Sequence, residues 1–247
     1  MNVLIAIPVF NEEKYLARVL SQVLTYNPRV LVVDDGSTDA TPAILRQMPQ
    51  IQVLRHPKNA GYGQSIIDAL CFGQHNGYDW VITMDCDEQH EPAMIPSFLR
   101  RIRRGGADII SGSRYLAPRS FAGSAAPADR RTINQLMTQT INKHLGLSLT
   151  DSFCGFKAHR VEAMKKVPLS ELGYAFPMQL WVRAVAAGLS IAELPVKLIY
   201  NDPTRHFGGE LDDPNHRLRH YLEVFFRELC AVRPAESAGQ TAFACCA

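Results

Sequence analysis

The chain has 247 residues, 47% hydrophobic and 20% charged, enough apolar material for a sizeable core in one large α/β domain or two small ones, which excludes disorder as the default. A formal net charge of +2 is not the strong positive field of a nucleic-acid binder, so no nucleic-acid partner is expected and function must come from local constellations. The six cysteines lack Cys-x-x-Cys spacing, no charged segment precedes the first short apolar run, and Arg183, Glu193 and Lys197 interrupt the longest apolar stretches before the roughly 20 residues of a membrane helix; a cytoplasmic protein is expected, with any membrane contact peripheral and at the inner face.

Residues 3–8 form a continuous β-prone run, and Leu16, Val19, Leu20, Val23 and Leu24 follow at helical spacing. Residues 30–33 predict a second buried strand ending in Asp34-Asp35-Gly36-Ser37, after which Thr38 or Asp39 can cap a helix beginning near Pro42. The unit then repeats. Residues 51–54 are strand-like, 61–72 helical behind a glycine-punctuated loop, 80–84 a strand, 92–104 a helix and 109–112 a fifth strand. Beyond Arg114 the Ala/Pro/Ser/Gly-rich segment 116–127 predicts a mobile loop, 133–145 a helix, 191–194 and 196–200 short strands, and 201–214 a loop before a final helix and a frayed tail from 235. Strands alternating with helices predict a mostly parallel sheet covered on both faces.

In such sheets ligands sit outside the carboxyl ends of the strands. Pro8-Val9-Phe10-Asn11-Glu12, Asp34-Asp35-Gly36-Ser37 and Asp85-Cys86-Asp87 all fall at such ends, so three polar clusters from distant sequence converge on one rim. Two carboxylates one residue apart in extended backbone project to the same side and can share a hard cation, with Gln89 as a third oxygen. Oxygen-only ligation suits Mg²⁺ or Mn²⁺, ions that keep positions open for water and substrate phosphates, so the substrate is expected to carry a diphosphate. The plain alternative makes Asp85 and Asp87 solvated turn residues, but the two other polar strand ends on the same rim favour the metal. His90 reads as a surface histidine. An acidic side chain of Asp34-Asp35 is placed to accept hydrogen bonds from a ribose or base edge, and the glycines of Asn59-Ala60-Gly61-Tyr62-Gly63 allow close backbone approach.

Taken together, Pro8-x-x-Asn11-Glu12, Asp34-Asp35-Gly36-Ser37-x-Asp39-x-Thr41, Asn59-x-Gly61-x-Gly63, Met84-Asp85-Cys86-Asp87-x-Gln89-His90-x-Pro92 and Ser111-Gly112-Ser113-Arg114-Tyr115 closely resemble family 2 glycosyltransferases of the GT-A fold. Within that family the series is most similar to the polyprenyl (dolichyl) phosphate mannose or glucose synthases, in order, over about residues 3–200. The resemblance implies one GT-A domain over 1–234, a Rossmann-like, mostly parallel α/β sheet flanked by helices, with a nucleotide-sugar and metal half at 1–115, an acceptor half at 116–234 and a flexible tail at 235–247. It implies that Pro8, Asn11, Glu12, Asp35, Gly61, Gly63, Asp85 and Cys86 bind a nucleotide-diphosphate sugar of GDP-mannose or UDP-glucose type. Asp85, Asp87 and Gln89 would hold Mg²⁺ or Mn²⁺. Asp87, Arg114 and Arg131 would serve catalysis, Arg130 being the alternative to Arg131, and the sugar would pass with inversion to a polyprenyl phosphate at a membrane surface. Asp151-Ser152-Phe153-Cys154-Gly155-Phe156-Lys157 is similar to the family's Ser-Gly-Phe-Arg stretch with Cys154 and Lys157 replacing Ser and Arg, and Gly173-Tyr174-Ala175-Phe176 matches as well. Three departures fall on the acceptor side: Gln179 for a common Glu, Asn134 for a Ser after the Arg pair, and residues 205–210 for a Gly-x-Ser-Lys.

A hydroxyl acceptor needs a general base, whereas a phosphate acceptor arrives already ionised. With Gln179 in place of Glu the expectation tilts toward an anionic acceptor, or toward Glu171, Asp151 or Asp202 as base. The rival classes are a nucleotidyltransferase, which would open with a glycine-rich basic phosphate loop where this chain has Pro8-Val9-Phe10-Asn11, and a non-catalytic nucleotide-sugar binder. Arg100, Arg101, Arg103 and Arg104 read as a solvated helix end. Leu218, Leu222, Phe225, Leu229 and Val232 read as a core-packing stripe, with His216 and His220 on the surface beside it.

Overall fold

The computed structural model describes residues 1–116, 127–199 and 208–232. A seven-residue strand buried almost throughout, as residues 3–9 are, needs cover on both faces, and here both faces are covered. The elements run β1 (Val3–Val9), α1 (Leu16–Tyr26), β2 (Val30–Asp34), α2 (Thr41–Arg46), β3 (Gln52–Arg55), α3 (Tyr62–His75), β4 (Trp80–Thr83), α4 (Ile95–Arg104), β5 (Ile109–Ser113), α5 (Ala128–Leu145), β6 (Lys157–Arg160), α6 (Val161–Met164), α7 (Phe176–Ala186), β7 (Ile191–Pro195) and α8 (Pro214–Val232). They build a seven-stranded sheet in the order β3-β2-β1-β4-β6-β5-β7. All neighbours pair in parallel except β6, which is antiparallel to both β4 and β5.

The period-2 geometry of the strands divides the core. Leu4 and Ala6 of β1, with Leu31, Val33 and Val81, face one hydrophobic layer that includes residues of α3, α5, α7 and α8. Ile5 and Ile7, with Val30, Val32 and Ile82, face the other, made with α1, α2 and α4. In α4 the buried Ile95, Phe98 and Ile102 share one face, which leaves Arg100, Arg103 and Arg104 exposed at its end as expected. The stripe on α8 packs on the core: Phe225 and Leu229 are buried, and Leu218, Leu222 and Val232 are half-buried against it.

The predicted strand–helix alternation to residue 113 is present with boundaries shifted by up to three residues. Three elements were not foreseen: β6, α6 and α7. The expected strand at 196–200 is absent over 196–199, and residue 200 lies outside the described residues. So do 117–126 of the predicted mobile loop, 201–207 of the later loop and the whole tail from 233. Among the described residues no helix is long and apolar enough to cross a membrane.

Candidate active site

The carboxyl ends of β1, β2 and β4 open onto a cavity of about 800 Å³, also lined by Ile133 and Asn134 of α5, Pro177 of α7, and Arg217 and Tyr221 of α8. The loops after β1 and β2 are strapped together. Asn11, at a φ of 57° that Asn tolerates better than most residues, accepts the Thr38 N–H through its side-chain oxygen (2.8 Å) and donates its own N–H to Ser37 Oγ (3.0 Å). The Glu12 N–H donates to Thr41 Oγ1 (2.9 Å), and the Thr41 N–H to Asp39 Oδ1 (2.9 Å), which closes the turn ahead of α2.

Asp35 sits at the same rim and serves first as a clamp. Its Oδ1 accepts the Ala60 N–H (2.7 Å), its Oδ2 the Gly61 N–H (2.9 Å), and Oδ1 also lies 2.7 Å from His56 Nδ1. The two glycines of this loop differ in role. Gly61 lines the cavity at a φ of 107°. Gly63 does not line it: a Cβ there would meet the Glu171 carbonyl oxygen at 2.1 Å, so this glycine lets α3 approach the 171–172 backbone rather than a ligand.

Behind β4 the chain is a tight turn rather than the extended backbone expected. The Asp85 N–H donates to His90 Nδ1 (2.8 Å), the Gln89 N–H to Asp87 Oδ1 (3.1 Å), and Glu88, ion-paired with Arg18, has a φ of 60°. The turn nonetheless brings Asp85, Cys86, Asp87 and Gln89 to one cavity wall. His90 is not a surface residue, as the sequence suggested, but 4% exposed, its ring tilted against Phe156. Burial pushes its pKa down to about 4, so at neutral pH it is an uncharged acceptor for the Asp85 amide. Asp85 also takes a hydrogen bond from the Tyr62 hydroxyl, and both groups crowd Gly155, where a Cβ would lie 2.7 Å from Asp85 Oδ2 and 2.8 Å from the Tyr62 oxygen. Tyr62 stacks on Tyr174, and both line the cavity.

The donors brought together here are two carboxylates and one carboxamide, and no group of three or more His, Cys, Asp or Glu among the described residues could enclose a metal. That set fits a hard Mg²⁺ or Mn²⁺ completing its shell with water and phosphate oxygens, and does not fit an all-protein cage.

Cationic groups line the same cavity and form its basic wall. Arg114 donates from Nε (2.6 Å) and Nη2 (2.9 Å) to the fully buried Asp151, which also accepts from Asn134 Nδ2 (2.8 Å) and the Phe153 N–H (3.1 Å). Burial alone would raise the Asp151 pKa, but the Arg114 charge and these hydrogen bonds hold it well below the carboxylate range. The network runs on through Asn134, Thr138 and Ser152 to Trp181 Nε1, which donates to the Ser152 carbonyl (2.9 Å). Arg217 joins the wall from α8, held by Asp129 (2.6 Å). On α5 it is Arg130 that lines the cavity; Arg131 is exposed and points elsewhere, because one residue rotates a helix by about 100°.

None of the described candidates for a base is available as one. Asp151 is engaged with Arg114, Glu171 is paired with Arg227 (2.9 Å) and lies off the cavity, and Asp202 lies outside the described residues. Gln179 is 1% exposed and accepts the Ser170 and Glu171 N–H groups (2.6 and 2.7 Å), a loop-holding role that a charged Glu would also fill. Lys157 and Cys154 lie behind the wall. Lys157 donates to the Cys154 carbonyl and sits over the Trp181 ring, with burial pushing its pKa down, while burial pushes the Cys154 thiol up to about 11.

Pro8, Asn11, Glu12, Asp35, Gly61, Asp85, Cys86, Asp87, Gln89 and Arg114 thus share one cavity, and Gly63 and Arg131 do not. Tyr62, Arg217 and Tyr221 were not singled out beforehand, and Asp151 only as a candidate base and in a quoted motif, not as the partner of Arg114. Tyr62 stood between two quoted glycines and Tyr174 in a quoted motif; Arg217 and Tyr221 carried no local signal at all.

Residues 4–167 match the model of the family described as Glycosyl transferase family 2. The chain is 30% identical over 208 residues to the undecaprenyl-phosphate mannosyltransferase of Micrococcus luteus, covering 81% of this chain and 84% of that one. It is 30% identical over 207 residues to the polyprenol monophosphomannose synthase of Mycolicibacterium smegmatis, covering 78% and 76%. In fold it is similar to glucosyl-3-phosphoglycerate synthase from Mycobacterium tuberculosis in complex with Mn²⁺, UDP-glucose and phosphoglyceric acid, with a TM-score of 0.71, 17% identity and coverage of 98% and 84%. The same enzyme with Mg²⁺ and UDP gives a TM-score of 0.71 at 16% identity, covering 95% and 81%.

Proposed function

From the premise that the chain belongs to glycosyl transferase family 2 and is a glycosyltransferase, we propose that it moves a hexose from a nucleoside-diphosphate sugar of GDP-mannose or UDP-glucose type to a polyprenyl phosphate, with inversion. One observation carries the reading: Asp85, Asp87 and Gln89 line the same cavity as Arg114, Arg130 and Arg217. Residues 1–115 supply the first set and residues 116–234 most of the second, so we assign them as donor and acceptor halves of one domain.

On this reading Pro8, Asn11, Glu12, Asp35, Gly61 and Cys86 surround the nucleotide, and Asp85, Asp87 and Gln89 hold a divalent cation. When bound, that cation neutralises charge on the departing diphosphate. Arg114 is preorganised for the same purpose, since Asp151 fixes its guanidinium and no reorganisation is needed as charge develops. An oxygen of the acceptor phosphate attacks the anomeric carbon as the bond from that carbon to the diphosphate oxygen breaks, which inverts the centre. A phosphate needs no base to ionise near pH 7, which agrees with the engagement of Asp151 and Glu171 in ion pairs. Arg130 and Arg217 are positioned to attract the anionic acceptor, and the membrane contact such a lipid requires is peripheral.

Incubation with labelled GDP-mannose or UDP-glucose, Mn²⁺ or Mg²⁺ and a polyprenyl phosphate in detergent tests this. Formation of lipid-linked sugar that stops when the metal is chelated is the expected result. Transfer to a soluble hydroxyl acceptor with none to the lipid would overturn the acceptor assignment, and metal-independent transfer would overturn the role of Asp85 and Asp87.

A further inference from the structure

The imidazole of His56 lies between two carboxylates. Nδ1 is 2.7 Å from Asp35 Oδ1 and Nε2 is 2.9 Å from Asp68 Oδ2. A neutral imidazole carries one donor and one acceptor, and an ionised carboxylate only accepts. With the ring neutral, one of these two contacts would set a nitrogen lone pair against an anionic oxygen, so the geometry calls for an imidazolium donating on both sides. The charged groups facing the ring are Asp35, from the end of β2, and Asp68, from α3. On its own loop, Arg55 turns away to Asp34 and the Ser37 carbonyl, and Lys58 is exposed.

Asp35 is the first link from this ring to the cavity. The oxygen that meets His56 also accepts the Ala60 N–H, and its partner accepts the Gly61 N–H. Asp35 and Gly61 both line the cavity, whereas His56 and Asp68 lie behind them. The loop Asp35 grips has no slack: a Cβ on Gly36 would meet the Lys58 carbonyl carbon at 2.5 Å, and one on Gly61 the Leu172 carbonyl oxygen at 2.3 Å.

We propose that His56 is a positioning residue for the donor nucleotide, held as an imidazolium by Asp35 and Asp68 so that Asp35 and the Ala60-Gly61 backbone keep the shape the nucleotide binds. The inference rests on the donor-cavity reading above. Burial pushes the His56 pKa down, but the hydrogen bonds and charges of Asp35 and Asp68 outweigh it and the net direction is up from 6.5. The titration therefore falls on the alkaline side of an ordinary histidine, where a nucleoside diphosphate, with a second phosphate pKa near 6, has already ionised.

The test is calorimetric binding of UDP and of GDP with Mn²⁺ from about pH 7 to 9, on the full chain, with the ring nitrogens of His56 followed by NMR. We expect nucleotide affinity to fall above the His56 pKa by up to about tenfold per pH unit, and the ring to show two protonated nitrogens below it. Asp68→Asn, a change outside the cavity, removes one of the two carboxylates and should move both inflections to lower pH together. His56→Gln should bind more weakly at pH 7 with a flat pH profile. A residue that merely stabilises the fold would lower the melting temperature and leave the profile in place. Affinity that stayed constant while the ring lost its second proton, or a ring that titrated below an ordinary histidine, would overturn the role of His56 while leaving the donor cavity standing. Failure to bind either nucleotide at any pH would instead overturn the cavity reading on which the inference rests.

Discussion

The two walls of the cavity are held by different physics. On the acidic rim, polar groups are fixed by nearby backbone: Asp87 by the Gln89 N–H, Asn11 by Thr38, Asp35 by Ala60 and Gly61. On the basic wall, guanidiniums are fixed by carboxylates, Arg114 by the buried Asp151 and Arg217 by the half-exposed Asp129. Losing Asp87 therefore removes a group proposed to hold the cation and leaves a turn that can stay folded. Losing Asp151 leaves the Arg114 guanidinium out of water without its carboxylate.

The largest effect should follow Asp151→Ala. Breaking a buried pair by removing one partner is expected to destabilise by about 3–5 kcal/mol, read as a lower denaturant midpoint, with activity lost as well. Asp151 has a depressed folded pKa, so its contribution is fully present above the unfolded value of 3.8 and is lost as pH falls through the lower folded pKa. The stability difference between the original chain and Asp151→Ala should accordingly be constant above about pH 4 and shrink only in stronger acid. A difference that vanished already at pH 6 would contradict the buried ion pair. Asp87→Ala should behave in the opposite sense: roughly 10²–10³-fold less metal-dependent transfer, with the melting temperature unchanged or slightly raised because Asp85 loses a like-charged neighbour. Unchanged nucleotide-sugar affinity in calorimetry would remove the metal from this rim.

That asymmetry also explains what could be read in the sequence. The rim was legible because each of its residues follows directly on a short apolar strand, and strand ends in a parallel sheet share an edge. The wall was only partly so. Arg114 follows β5 and was found, but its partner Asp151 lies 37 residues on and no local pattern joins them. Lys157–Arg160, the antiparallel β6, buries Lys157 and His159 and so does not look like a core strand, and α7 is buried nearly all round, which erases the helical period that would have revealed it. His90 was misplaced for a related reason: one hydrogen bond to the Asp85 amide and a place beside Phe156 let a polar ring be buried, and neither is visible in a heptapeptide.

A smaller change probes the junction between the walls. Gly155 has ordinary backbone, so Gly155→Ala adds only a methyl group, 2.7 Å from Asp85 Oδ2 and 2.8 Å from the Tyr62 oxygen. Both obstacles are ends of side chains and can give way, so the melting temperature should fall by no more than a few degrees. The carboxylate that yields is one proposed to hold the cation, so the Mn²⁺ concentration for half-maximal activity should rise by about tenfold, the equivalent of about 1.4 kcal/mol. An equal loss at saturating Mn²⁺ would instead place the damage in the chemistry step.

The smallest effect separates two adjacent arginines. Arg130 shares a face of α5 with Ile133 and Asn134 on the cavity, and Arg131 is turned about 100° away into solvent. Arg130→Ala should lower kcat/KM for an anionic acceptor roughly fivefold, matching the ~1 kcal/mol of a half-exposed charge, and the loss should diminish as added salt screens it. Arg131→Ala should stay within about twofold at any salt, since the Debye length near 8 Å at physiological ionic strength mutes a charge facing outward. If the two variants lost activity equally, the acceptor would be sensing net charge at long range rather than a guanidinium in the wall. If Arg131→Ala alone lost it, α5 would have to present its other face to the cavity, and the packing of Ile133, Met137 and Ile141 into the core would be wrong with it.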